Sequence, residues 1–413
     1  MKSTIPAIAI TLLLSAASTF VQAQEWTRFR GPNGTGQASS NANFKTLTER
    51  SLVWKTTLPG KGHSSPVQWG SQIFLTTTAD DSGEFHVLSI NASSGKISWS
   101  QEFPYRTFRK HEFNSFASPT ASVDADRIYA SWGTPEALFL AALDHSGSLL
   151  WKRDLGTFKS QHGPGTSPVL YDDLVIITNE QLGDSFIIAV DQKTGETRWQ
   201  TPRNSSKTAY STPCLSKDTR GNDILLVNSQ SHGIGALNPK TGTPLWEYTN
   251  AFDKRSCSSP VVAGGLVFGS CGSGGGGNFV VAVRPPNGTT RTTPELAYEI
   301  RRSAPYVPSF IPNGKWLFLW SDGGILSCVE PESGKVQWSE RTRGRFFGSP
   351  IAVADQLIAV GDAGRIYVVS GTGEFEIFTT FDLNETCHST PAVIDDHLFV
   401  RTVSHLWKFK PSR

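Results

Sequence analysis

The sequence predicts an all-β fold, an eight-bladed β-propeller of four-stranded antiparallel blades, and three observations predict it. The composition is rich in turn formers and aromatics, with 38 Gly, 24 Pro and 12 Trp against only 18% charged residues, which suits short strands and tight turns better than helices. A hydroxyl residue followed by proline recurs at Ser65-Pro66, Ser118-Pro119, Ser167-Pro168, Thr212-Pro213, Ser259-Pro260, Ser349-Pro350 and Thr390-Pro391, with Val307-Pro308-Ser309 as a degenerate copy. These eight prolines lie 53, 49, 45, 47, 48, 42 and 41 residues apart, the spacing of a propeller blade. Third, a glycine stands four residues before a tryptophan at Gly95/Trp99, Gly147/Trp151, Gly195/Trp199, Gly242/Trp246 and Gly334/Trp338.

Each mark has a physical reading. The glycines sit in turns opened by Asn91, Asp144, Asp191, Asn238 or Glu330, whose side chains start the turn while Gly takes the positive φ. The tryptophan then begins an outer strand and fills the widening gap between blades. Two repeats deviate, Asn287-Gly288 leading to Tyr298 and Gly373 to Ile377-Phe378. Alternation of strand type is legible at 72–75, 174–177 and 357–360. The ends are out of phase: Ser51 to Thr57 carries Trp54 without a preceding repeat, and the last repeat stops before a tryptophan strand of its own. Pairing 51–57 with 405–409 would close the ring and remove the free edges.

The first residues read as a leader. Lys2 precedes an apolar run, Ala7 to Ala17, and Val21-Gln22-Ala23 has the small-residue pattern of a cleavage site. Residues 1–23 are therefore expected to be removed, leaving 24–413 as one propeller domain that is periplasmic or secreted. No later run is long enough to span a membrane, and no cysteine follows the leader to take a lipid anchor. Lys plus Arg number 38 and Asp plus Glu 36, so nothing global argues for a nucleic-acid partner. Basic residues gather in the connections from outer to next inner strand, but acidic ones in other loops of the same face cancel them. What remains is a local cluster, Arg341, Arg343 and Arg345 beside Arg301 and Arg302.

The phased pattern Asp/Asn-x-x-Thr/Ser-Gly-x-x-x-Trp resembles the pyrroloquinoline quinone-like (PQQ-like) β-propeller repeat family, which includes quinoprotein dehydrogenases and BamB-type outer-membrane assembly lipoproteins. The opening Trp26-Thr27-Arg28-Phe29-Arg30-Gly31-Pro32 is also similar to that of exported bacterial proteins of this kind. The resemblance covers Trp26 to Phe409 and implies the fold. In the dehydrogenases it implies a quinone on the propeller axis, stacked on a disulfide of adjacent cysteines, with calcium and an Asp base. This chain has five separated cysteines and little length for decorating loops. The expectation is a non-catalytic scaffold or binding module for a protein or polymer partner, with no cofactor. The alternatives are a PQQ- and calcium-dependent dehydrogenase and a component of an outer-membrane assembly machine.

Candidate site residues follow from the repeat. The residue three before each proline begins the innermost strand, giving His63, Phe116, Gly165, Tyr210, Cys257, Pro305, Phe347 and His388 as a ring at the channel mouth. His63 and His388 become neighbours on closure, as a paired-imidazole site or as histidines bonded to water or backbone. No metal site is expected elsewhere, since no metal-binding His spacing occurs. Cys257 and Cys271 flank a Gly264-Gly265 hairpin and are either bridged or two buried thiols. The connection from Gln101 to Ala117 carries Phe103, Tyr105, Phe108, Phe113 and Phe116 among Arg106, Arg109, Lys110 and His111. It is either a partner-binding surface, with Tyr105, Arg106, Phe108, Arg109, Arg302, Arg343 and Arg345 as contacts, or a satellite core over the mouth.

Overall fold

The computed structural model describes residues 26–79 and 82–412; the segment read as a leader lies outside them. Eight antiparallel sheets follow one another along the chain, at 67–104, 122–154, 169–203, 214–248, 261–300, 311–341, 351–382 and 392–409. The last is completed by Leu52–Thr57, which runs antiparallel to His405–Phe409 with Thr57 opposite His405 and Leu52 opposite Phe409. The expected closure is therefore present. Gln37–Ala38 adds a short parallel strand to Ile351–Val353 of the seventh blade.

Within each blade the two middle strands are apolar because both faces are covered. Leu174–Asn179 is buried at every position, whereas the outer strand Leu52–Thr57 alternates half-buried and exposed. The glycine–tryptophan signal turns out to join neighbouring blades. Asn91 Oδ1 accepts the amides of Ser93 and Ser94 at 3.1 and 2.9 Å, and Gly95, at φ 73°, lies flat against the ring of Trp54 from the preceding blade. A Cβ on Gly195 would stand 2.8 Å from the ring of Trp151. The indole N–H groups then donate into the same turns: Trp54 to Ala92 O at 3.3 Å, Trp99 to His145 O at 2.9 Å, Trp151 to Gln192 O at 2.9 Å and Trp338 to Gly373 O at 2.9 Å. Tyr298 does this for the fifth blade, its ring against Gly334 and its hydroxyl donating to Pro331 O.

The hydroxyl–proline signal builds a second, inner ring. The amide of one blade's hydroxyl residue donates to the hydroxyl oxygen of the next: Thr390 to Ser65 at 3.1 Å, Ser65 to Thr120 at 2.9 Å, Thr120 to Ser167 at 3.0 Å and Ser167 to Thr212 at 3.1 Å. After the fourth-to-fifth seam it resumes from Ser259 to Ser309 at 2.9 Å, Ser309 to Ser349 at 3.0 Å and Ser349 to Thr390 at 2.9 Å. At the seam between them, Tyr210 N bonds Ser256 O at 3.0 Å instead. A proline just past the belt residue suits an innermost strand edge, where no ladder donor is needed.

The belt separates two ends of the axis. At the end beyond it, residues 26–36 cross the channel. Trp26 O and Thr27 O accept from Gln68 N and Val123 N, Gly36 O accepts from Ala352 N, and the guanidiniums of Arg28 and Arg30 donate to Pro213 O and Phe310 O. These partners lie one or three residues past the belt on five different blades, so the segment is a plug.

Candidate functional site

On the other side of the belt the axis opens into a funnel of about 690 Å³ whose lining includes Phe29 of the plug. The residues two before each belt hydroxyl surround it: His63, Ser118, Gly165, Tyr210, Cys257, Val307, Phe347 and His388. Two of the expected ring members are thereby corrected. In the second repeat the belt residue is Thr120 rather than Ser118, and in the sixth it is Ser309 after Pro308, so the ring positions fall two residues later than Phe116 and Pro305. Phe116 is buried instead in the core beneath the funnel wall.

Two connections roof the funnel. From 105–117, Phe113 reaches over the mouth to the Phe347 ring at 5.2 Å, under the Arg345 guanidinium at 4.8 Å, and its carbonyl meets His388 Nδ1 at 3.0 Å. Asn114 donates to His162 O in the second connection, 155–168, and His111 lies 5.0 Å from the His162 ring. His162 Nε2 is 2.8 Å from Arg255 Nη1 and Gln161 Oε1 is 2.9 Å from Arg255 Nη2. A guanidinium only donates, so His162 accepts at Nε2 and carries its proton at Nδ1.

The funnel has two unlike walls. One holds His63 and His388, with centroids 4.5 Å apart, beside Phe347 and Phe113. Both imidazoles are held below the usual histidine range, chiefly by burial, and His63 further by the charges of His388, Arg401 and Lys110. The opposite wall holds Tyr210, Arg255, Cys257, Tyr306 and Asp322. Burial pushes the Cys257 thiol and the Tyr210 hydroxyl each up to about 12, and with Arg255 and His111 it takes His162 down to about 4. Asp322 accepts the amides of Tyr306 and Val307 at 2.6 and 3.0 Å, and burial raises its carboxyl. Arg255, His162, Tyr306 and Asp322 were not among the expected site residues. Arg255 stands two before a ring position and Asp322 in a Ser-Asp-Gly-Gly turn, the two signals that could have marked them.

The remaining candidates are placed as follows. Cys257 and Cys271 are free thiols, correcting the bridge and leaving the unbridged reading. Val261 pairs with Phe268 but Arg255 with Gly272, so the first chain takes more steps than the second and the pairing breaks around Pro260. Cys257 turns into the funnel while Cys271 stays in the core between the fourth and fifth blades. Tyr105 is buried, 5.5 Å from Phe116, and half-buried Phe108 packs 4.8 Å from the same ring, so Tyr105 takes the satellite-core place. Arg106 is exposed and paired with Glu136, and Arg345 pairs with Asp362 at 2.8 Å. Arg109, Arg302 and Arg343 are exposed.

A quinone with calcium does not fit these residues. The funnel has no disulfide to stack on, its lining carboxylates are Glu112 and Asp322 alone, and among the described residues no three His, Cys, Asp or Glu side chains converge on a metal position. Among the described residues no helix is long and apolar enough to cross a membrane.

Comparison with known proteins gives the same architecture. The family model described as outer membrane protein assembly factor BamB matches residues 106–305, 278–376 and 322–409. The outer membrane protein assembly factor BamB of Shewanella oneidensis is 27% identical over 195 residues, 45% of this chain and 48% of that protein, so the chain spans about half the length of the curated relative it matches. Among solved structures, BamB from Moraxella catarrhalis superimposes with a TM-score of 0.62 at 16% identity, over 87% of this chain and 97% of that one. A quinohemoprotein alcohol dehydrogenase from Comamonas testosteroni gives 0.65 at 13% identity, over 96% and 82%. At such identities the two structures speak for the fold alone.

Proposed function

Since the chain belongs to the BamB-type propeller family, we propose that it is an exported, non-catalytic scaffold that holds a protein partner on its funnel face. The observation that carries this reading is the inequality of the two ends of the axis. The plug fills one with the chain's own backbone, while the other keeps an open funnel beneath roof loops that present His111, Phe113 and exposed Arg109. Rigid blades with decorated connections on one face are how a propeller offers a binding surface. The leader sequence supports a site of action in the periplasm or outside the cell.

The test is a photo-cross-linking residue at Arg109 in the native host. We expect a discrete protein adduct, and no adduct from any roof position would overturn the reading. Family membership favours a second, narrower version in which the partner belongs to outer-membrane protein assembly; the mass-spectrometric identity of the adduct decides it. The dehydrogenase alternative is separated by adding the quinone and calcium to purified protein and following dye reduction with alcohols and sugars. The scaffold reading expects none.

A further inference from the structure

The polar wall of the funnel carries donors with capacity to spare. Arg255 Nε and the Tyr210 hydroxyl make no hydrogen bond of good geometry, although Tyr306 lies by the guanidinium and Ser160 and Thr208 by the hydroxyl, and across the funnel His63 Nδ1 is likewise unbonded. Arg255 forms no ion pair among the described residues; its two Nη groups are spent on His162 and Gln161, which hold the guanidinium over the Tyr210 ring at 5.7 Å. Leaving such donors unpaired away from water costs on the order of 1–3 kcal/mol each, so a ligand that accepts hydrogen bonds is strongly favoured there. Of the lining carboxylates, Asp322 faces the amides of Tyr306 and Val307 and burial raises its carboxyl towards the neutral form, and Glu112 is exposed in the roof.

Unpaired basic residues also stand on the connections that lead to the funnel. Arg109 and Lys110 in the roof, and Arg302 and Arg343 on the connections leading to Tyr306 and Arg345, make no ion pair among the described residues. A small acid held inside the funnel would leave these residues unused, whereas an extended acidic chain would occupy both. The opposite wall of Phe113, Phe347 and His388 offers ring faces to the stem of such a chain.

We propose that the funnel receives an acidic side chain carried on an extended segment of a partner protein, with Arg255 and Tyr210 taking the carboxylate and the arginines of the connections following the segment outward. This rests on the reading of the funnel face as the docking face, and it names the chemistry of what docks.

The test is fluorescence anisotropy with a labelled, C-terminally amidated hexapeptide of alternating glutamate and glycine, its glutamine counterpart, and free glutarate as competitor. The glutamate peptide should bind in a salt-sensitive way and the glutamine peptide should lose about tenfold or more, as a charged pair in a shielded site demands. Arg255→Gln should cost a similar factor and Tyr210→Phe a smaller one; Arg255→Lys serves if the glutamine variant does not fold. Equal binding of the two peptides, indifference to both substitutions, or glutarate binding as tightly as the peptide would overturn the proposal. Loss of peptide binding with roof cross-links retained sinks this inference alone, and the reverse outcome sinks the docking-face reading alone.

Discussion

The two ends of the propeller axis solve one problem in opposite ways. At the plug end, Trp26, Arg28 and Arg30 are buried, and the loop from Gly31 to Gly36 curls back on its own backbone through Gly31 N to Arg28 O, Gly34 N to Gly31 O and Gly36 N to Arg30 O, at 2.9, 3.1 and 2.8 Å. At the funnel end the roof connections are anchored at their bases by backbone bonds, from His63 N and Ser64 N to Ala117 O and from Leu182 N to Lys159 O, while their tips touch the wall through a few polar bonds and ring contacts around Phe113, Asn114 and His162. The difference teaches which end is structure and which is available for binding. A buried segment tied by backbone bonds to three blades and by buried guanidiniums to two more opens only with the whole fold, while roof tips held by side chains can open locally.

The largest way to break the comparison is to delete 26–58, which removes the plug and the closing strand together. Leu52–Thr57 covers one edge of His405–Phe409, and without it an apolar edge strand is open to pair with other chains. We expect no folded monomer by size exclusion and thermal melting; an unchanged melt would refute ring closure as a source of stability.

Next in size is the roof. Tyr105 is 5% exposed within the core under the funnel wall, so Tyr105→Ala should cost about 3 kcal/mol, read by denaturant titration. Phe113 is half-buried at the mouth, and Phe113→Ala should cost about 1 kcal/mol or less while abolishing the partner cross-link. If the two substitutions cost the same, the roof is core throughout.

The blade seams come third. Gly195 combines φ 72° with the Trp151 ring at 2.8 Å from an added Cβ, so Gly195→Ala should cost about 2 kcal/mol and leave peptide binding in the funnel unchanged. A neutral result would mean that the indole can shift, and that the seam is looser than it looks.

How much of this was legible in the sequence depends on how local the chemistry is. Blade count, turn chemistry and closure are local or periodic, and they were readable from the hydroxyl–proline and glycine–tryptophan marks. The funnel ring is readable only in part, because the proline marks the repeat while the hydroxyl belt is the physical constraint. Thr120 follows the decoy pair Ser118-Pro119, and Ser309 follows Pro308, so two positions slipped. The polar wall was not readable: Arg255 meets His162 across 93 residues, and the roof loops that join them carry no periodic signal. The same holds for the plug, whose partners are spread over five blades.

The smallest expected effect is a pH response of the roof. His162 titrates near 4 in the fold, against 6.5 for a free side chain, so its contribution is complete above about 6.5. It is lost as the pH falls towards 4, where the unfolded chain takes up a proton that the folded one resists. Protonation also ends its role as acceptor for Arg255. Acidification should therefore loosen 157–165 before it loosens any blade, and His162→Gln should remove that response.

Native-state hydrogen exchange at the two ends of the axis tests the central claim most directly. The amides of Gln68, Val123 and Ala352, which donate to the plug, should exchange only when the whole propeller unfolds, and roof amides at 106–113 should exchange through local opening at a denaturant-independent rate. Plug-end amides that exchange as readily as the roof, or a roof protected to the level of the plug, would contradict the division of the axis into a sealed end and a binding end.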